Sequence, residues 1–377
     1  MQIFLSLLRK ENDNVDKSKR NIPIRVISQN RTELMALAII LVILCHSTVP
    51  INGPFQWAFS AIRQFCQIGV DIFLFLSGLG VYFSLKKNNS VLEFCKKRAV
   101  RLFVPYIMVL SIWGFAQIFH NTTGGIIGFI YSYSLITFFL RGDLSEWYIA
   151  AITVLYLFSP WLVKYVNKRQ NGLRVLIFSV FVISLLFFAC ANCFSYTKYG
   201  KAFTIVNEVF IVRIPMFLAG IFFGKMMHQE ERKCVSIQKT AFVLLLGVVL
   251  FILNTIVFPG NKLWFSQLYI SRAIFGFVCI PLLLYAGYAF DAAKKNTKFM
   301  GVVRYIGTIT LELYLLHVKV LTYLDSLLPK STLFSILSNI LAVFISLVLA
   351  HLVNKAAKKC VQILSKHKRM LSSSKEI

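Results

Sequence analysis

Two ionisable side chains, one imidazole and one carboxylate, stand inside apolar runs near the start of the chain. His46 lies in the run 34–50, and Asp71 lies in the run 65–85, within Gly69-Val-Asp-Ile-Phe-Leu-Phe-Leu-Ser77-Gly78. An ionisable group in hydrocarbon costs several kcal/mol, so its presence calls for a partner or a task. A neutral imidazole suits general-base work near pH 7, and a carboxylate can orient it. The same pair could instead do no more than tie two helices together, and both readings stand at this point.

Other polar groups gather at a similar level. Counting about 1.5 Å per residue from the ends of the apolar runs puts Asp71, Glu208, Arg213 and Arg272 roughly 6–14 Å below the outer surface. His46 and His317 fall near 12 Å by the same count. Glu146 and Trp147 sit at the outer rim of their span. A shared band of acids, bases and arginines points to a water-accessible cavity, whereas ion pairs that only hold helices together would scatter in depth. Glu312, deeper, and His351, near a helix end, read as structural.

The elements that must carry these residues follow from composition. The chain has 377 residues, 57% hydrophobic and 15% charged, and a mean hydropathy of +0.70. Ten stretches, 34–50, 65–85, 102–120, 146–164, 174–193, 204–224, 240–258, 267–290, 305–325 and 333–354, approach the ~20 residues that cross a bilayer. The expected fold class is all-α, a polytopic transmembrane helical bundle of about ten spans with both termini cytoplasmic. The expected organisation is a basic tail 1–33, loosely ordered, then one membrane domain 34–354 and a basic tail 355–377.

Loop charge sets the orientation. With the N-terminal tail inside, 32 of the 41 Lys and Arg fall in inner segments and 6 in outer ones. That asymmetry follows the positive-inside rule, so the net charge of +26 reads as topology, with the bilayer as partner and no nucleic acid. Making 124–140 a full span would reverse every later loop, so it is expected to be an external, interfacial or re-entrant segment. The opening apolar run is too short for a cleavable signal.

Eight cysteines are scattered, and only Cys190 and Cys193 have metal or redox spacing, without a second pair. They read as buried small hydrophobes, and no metal site is expected. On the inner side, Arg98 and Arg101 precede the third span and share a helix face. Guanidinium forks suit phosphate, which makes a phosphorylated cytosolic cofactor a candidate partner.

These residues, taken in order, resemble the integral-membrane acyltransferase-3 family, which includes polysaccharide O-acetyltransferases. The matching pieces are Leu34 through His46, Gly69-Val-Asp71-Ile-Phe73 with Ser77-Gly78, and Arg98-Ala-Val-Arg101-Leu-Phe-Val-Pro105-Tyr106. Glu146-Trp-Tyr148, Arg213 through Gly220 and Ile306 through His317 continue the likeness. The resemblance implies transfer of an acyl group, usually acetyl, from cytosolic acyl-CoA to a carbohydrate hydroxyl at or beyond the outer face of the cell membrane. It maps the family's essential histidine to His46 and its third-helix arginines to Arg98 and Arg101. The family commonly has an arginine eleven positions before that histidine, where this chain has Met35. Arg31, one turn earlier on the same face, could reach a similar place.

The expected mechanism then has His46 as base, with Asp71 as its first and Glu146 as its second candidate partner. Acyl-CoA is a co-substrate bound near Arg98 and Arg101, and no cofactor is permanently held. Arg213 or Arg272 is expected to stabilise the oxyanion. His317 and Trp147 are placed at the substrate, Trp147 together with Tyr148 and Trp264 for stacking on sugar rings. A transporter or flippase of a sugar-lipid or anionic substrate is the competing class, since a polar band amid ten helices would serve it too.

Overall fold

The computed structural model describes residues 21–49, 56–87, 90–119, 126, 130–131, 134–230, 233–257, 269–294, 297–329 and 331–373. Apart from one pair of three-residue strands, β1 (Asn21–Pro23) and β2 (Cys234–Ser236), the described elements are helical. In chain order the first are α1 (Val26–Gln29), α2 (Arg31–Cys45), α3 (Gln56–Cys66), α4 (Ile68–Lys87), α5 (Val91–Phe119) and the short α6 (Ile136–Arg141). Next come α7 (Trp147–Lys168), α8 (Gly172–Cys193), α9 (Lys198–Val209), a 3-10 turn at Ile211–Arg213, and α10 (Ile214–Gln229). The chain closes with α11 (Ile237–Val257), α12 (Ser271–Ala293), α13 (Thr297–Thr308), α14 (Thr310–Leu327) and α15 (Thr332–Ser373).

Among the described residues, 7 helical segments are long and apolar enough to cross a membrane, or up to 8 if α13 and α14, bent by 76° at their junction, make one span. Helix covers most of the described residues in each of the ten expected stretches, but α2 has only 15 residues. The expected segment 124–140 lies partly outside the described residues, and its end, from Ile136, forms most of α6.

One helix is the axis of the bundle. α4 is apolar nearly all round and buried along most of its length, as a helix surrounded by other helices must be. It packs most extensively on α10. Gly78 faces the Phe217 carbonyl oxygen and Gly220 faces the Phe75 carbonyl oxygen, so a Cβ at either site would meet backbone. Small residues at a crossing let two membrane helices approach this closely.

The expectation of a loose tail up to residue 33 is corrected for its last part. Residues 21–33 are ordered, because Ile22, Ile24, Val26 and Ile27 supply apolar surface and all four are buried. Ile22 pairs with Val235 across the antiparallel strands. The Asn30 side-chain amide donates to the Val26 and Gly287 carbonyls and to Asp291 Oδ1 at 2.9 Å. Glu33 accepts from Arg304 Nη2 at 2.9 Å. These contacts clamp the first residues of α2 against α12 and α13, so the helix that carries His46 has a fixed starting point.

Candidate active site

α2 delivers His46 as the residue that ends it. The His46 amide caps the last turn by donating to the Val42 and Ile43 carbonyls. Its imidazole is exposed, whereas His317 of α14 is 5% exposed. The two rings meet edge to face with centroids 5.2 Å apart. Residues 271 positions apart thus reach one point, matching the common level that the sequence assigns to both histidines.

Asp71 stands in the first turn of α4, 1% exposed. Its Oδ2 takes Arg213 Nη1 at 3.4 Å and Arg272 Nη1 at 3.3 Å. Arg272 Nη2 also donates to Gln67 Oε1 at 2.6 Å. The expectation that Asp71 orients His46 is therefore corrected: its polar contacts are with two guanidiniums that converge on one carboxylate oxygen. A buried carboxylate takes the partners that best offset its lost hydration, and these are the arginines. Arg213 also lies 5.6 Å from the Trp147 ring, and its Nε is buried with no hydrogen-bond partner among the described residues.

Glu146 caps α7 and is likewise engaged elsewhere than at His46. Its Oε1 lies 2.7 Å from Lys319 Nζ on α14, two residues past His317. Glu312 accepts from Asn354 at 2.8 Å, a helix-to-helix tie as expected.

Arg98 and Arg101 come together with Arg31 around a cavity of about 80 Å3. Arg31 Nε donates to the Leu76 carbonyl at 3.0 Å, and Arg98 Nη2 to the Gly80 carbonyl at 3.2 Å. The Arg98 guanidinium also stacks on Tyr156, 5.2 Å from its centroid. Met35 lines the same cavity, as do Ser77, Tyr148 and Tyr314. Arg31 thus projects into the space that a residue at position 35 borders.

The cavity and the histidine pair share a wall. Tyr314 lines the cavity, and its ring is 5.8 Å from that of His317. Tyr148 packs on Tyr314 at 5.0 Å. Tyr314 therefore touches both the cavity lined by the three guanidiniums and the ring of His317.

Several participants carried little sequence signal. Lys319 reads only as a cation within a span. Arg63 of α3, whose Nη1 donates to the Ser47 carbonyl at 2.8 Å beside His46, reads as a loop charge. Tyr156 is one of 15 tyrosines, with no spacing that sets it apart, and Tyr314 is marked only by lying in the stretch Ile306 through His317 that carries the resemblance.

The family model for the acyltransferase domain, acyltransferase-3, matches residues 34–354. No curated protein and no solved structure gives a significant match to the chain. The matched region contains the histidine pair, the buried charge cluster and, apart from Arg31, the residues that line the cavity, and its helices are long and apolar enough for several membrane crossings. This multi-pass membrane protein belongs to the acyltransferase-3 family.

Proposed function

We propose that this membrane acyltransferase takes an acyl group, acetyl in the simplest case, from cytosolic acyl-CoA and esterifies a hydroxyl of a cell-surface or exported glycan at the cell membrane. The observation that carries this reading is a cavity lined by Arg31, Arg98, Arg101 and Tyr314, with the Tyr314 ring 5.8 Å from that of His317, which in turn meets His46. Guanidiniums fit the phosphates of a CoA ester, and the aromatic side walls fit a pantetheine arm.

In this reading His46 takes the proton of the acceptor hydroxyl as its oxygen attacks the thioester carbonyl. The carbon–sulfur bond then breaks, the thiolate leaves as CoA, and the imidazolium returns its proton to the sulfur. Arg213 Nε, buried and unpartnered among the described residues, is the donor left over for the oxyanion. The Asp71 carboxylate holds Arg213 and Arg272 in place for that task.

The test is membranes carrying the protein, incubated with labelled acetyl-CoA and a surface-glycan extract. Acceptor-dependent release of CoA with label in the glycan is the expected result, and His46→Ala should abolish it while the protein still inserts. Label transfer that survives in His46→Ala would remove the base from the scheme.

A further inference from the structure

His317 is a second imidazole whose proton position is set by its backbone. Its Nδ1 lies 3.0 Å from the Leu313 carbonyl oxygen and 2.9 Å from that of Tyr314. Carbonyl oxygens only accept, so Nδ1 carries the hydrogen, and in the neutral ring Nε2 carries the lone pair. That Nε2 is buried with no hydrogen-bond partner among the described residues. A buried acceptor left unmatched is costly, which makes a waiting function more economical than chance. The exposed His46 ring stands in front of it, 5.2 Å between centroids, a separation at which one imidazole N–H can reach the nitrogen of the next.

The charged group that faces His46 is Arg63 of α3, and a guanidinium has no acceptor atom to offer. Asp71 and Glu146 are engaged with Arg213, Arg272 and Lys319. The acceptor role that a carboxylate fills in a Ser-His-Asp arrangement is left to another group.

We infer that His317 is the positioning residue of the catalytic histidine, its Nε2 accepting an N–H from His46 so that the other His46 nitrogen presents its lone pair to the acceptor hydroxyl. The inference rests on His46 being the base, and it deepens that reading by naming what holds the base in its working tautomer. A neutral partner does this without adding a buried negative charge beside Asp71 and Glu146. The Glu146–Lys319 pair, on the same stretch of α14, fixes the height at which His317 is presented.

Two substitutions separate positioning from packing. Asparagine in place of histidine keeps a donor near Nδ1 and has nothing at Nε2, whereas glutamine can place its amide oxygen near Nε2. His317→Asn should lower kcat about 10²-fold with KM for acetyl-CoA unchanged, while His317→Gln recovers much of the loss. In the His46→Ala background, His317→Asn should cost nothing further, since residues that act as a unit are not additive. A readout that needs no acceptor is the rate at which diethyl pyrocarbonate modifies His46 at pH 7, followed by peptide mass spectrometry in the full-length protein in detergent. That rate should fall several-fold in His317→Asn and stay near wild type in His317→Gln. Wild-type kcat and modification rate in His317→Asn would overturn the assignment, and so would equal losses in the two variants. If no acyl transfer is found at all, the function reading fails, while the modification rates still decide whether His317 governs His46.

Discussion

Lys319 Nζ lies 2.7 Å from Glu146 Oε1, with both side chains largely buried, and this pair ties the start of α7 to α14 two residues beyond His317. Removing one partner of a buried pair leaves the other charge stranded, at a cost of about 3–5 kcal/mol. Glu146→Gln should therefore lower the melting temperature in detergent markedly. Glu146→Gln with Lys319→Met should recover most of that loss, because the double variant strands no charge. A double variant as unstable as the single one would show that the pair is not the source of the effect.

The Asp71 cluster should behave differently, because it holds two cations for one carboxylate. Asp71→Asn leaves two guanidiniums uncompensated a few ångströms apart, and expression or thermal stability should fall by the equivalent of about 3–5 kcal/mol. Adding Arg272→Gln removes one of the two stranded charges and should restore part of the stability without restoring activity. Full activity in Asp71→Asn would break the link between the cluster and the oxyanion.

The arginine-lined cavity makes a prediction about binding. Arg31→Ala, Arg98→Ala and Arg101→Ala should each raise KM for acetyl-CoA about 10-fold or more, the loss expected for one charge-assisted hydrogen bond, with a smaller change in kcat. Because Met35 borders the same space, Arg31→Ala with Met35→Arg should recover part of the KM lost in Arg31→Ala alone. An unaltered KM in the three single variants would move the donor site elsewhere.

The α4–α10 crossing makes a prediction about folding alone. Gly78→Val or Gly220→Val would press a side chain into the facing backbone, and backbone in the middle of a helix cannot move aside cheaply. Either variant should reduce the yield of folded, detergent-stable protein. Gly301→Val, where no atom lies within 4 Å of the added Cβ, should not. Equal yields for all three would mean that the two helices can separate at little cost.

Much of the architecture is legible in the amino-acid order, because a bilayer imposes a simple rule. A helix that satisfies its own backbone needs about 20 apolar residues to cross, so runs such as 174–193 and 240–258 announce themselves without knowledge of their neighbours. Residues 21–33 show the limit of that rule. Their isoleucines and valine are too few to read as an element, and only pairing with Val235 and closure against α12 give them a buried place.

The site divides in the same way. Residue types and depth single out His46, Asp71, Arg213, Arg272 and His317, since an ionisable group in an apolar run is conspicuous wherever it ends up, while a shared helix face ahead of the third span singles out Arg98 and Arg101. Which of them touch is a matter of helix rotation and crossing, and no local pattern encodes that. Asp71 goes to Arg213 and Arg272, Glu146 goes to Lys319, and His46 is left facing His317, because α4, α10, α12 and α14 converge from distant parts of the chain. The sequence by itself determined the set of charged and hydrogen-bonding groups placed in the membrane. Tertiary packing decided their pairing, because each buried charge takes the partner that the bundle brings within about 4 Å rather than the one nearest along the chain.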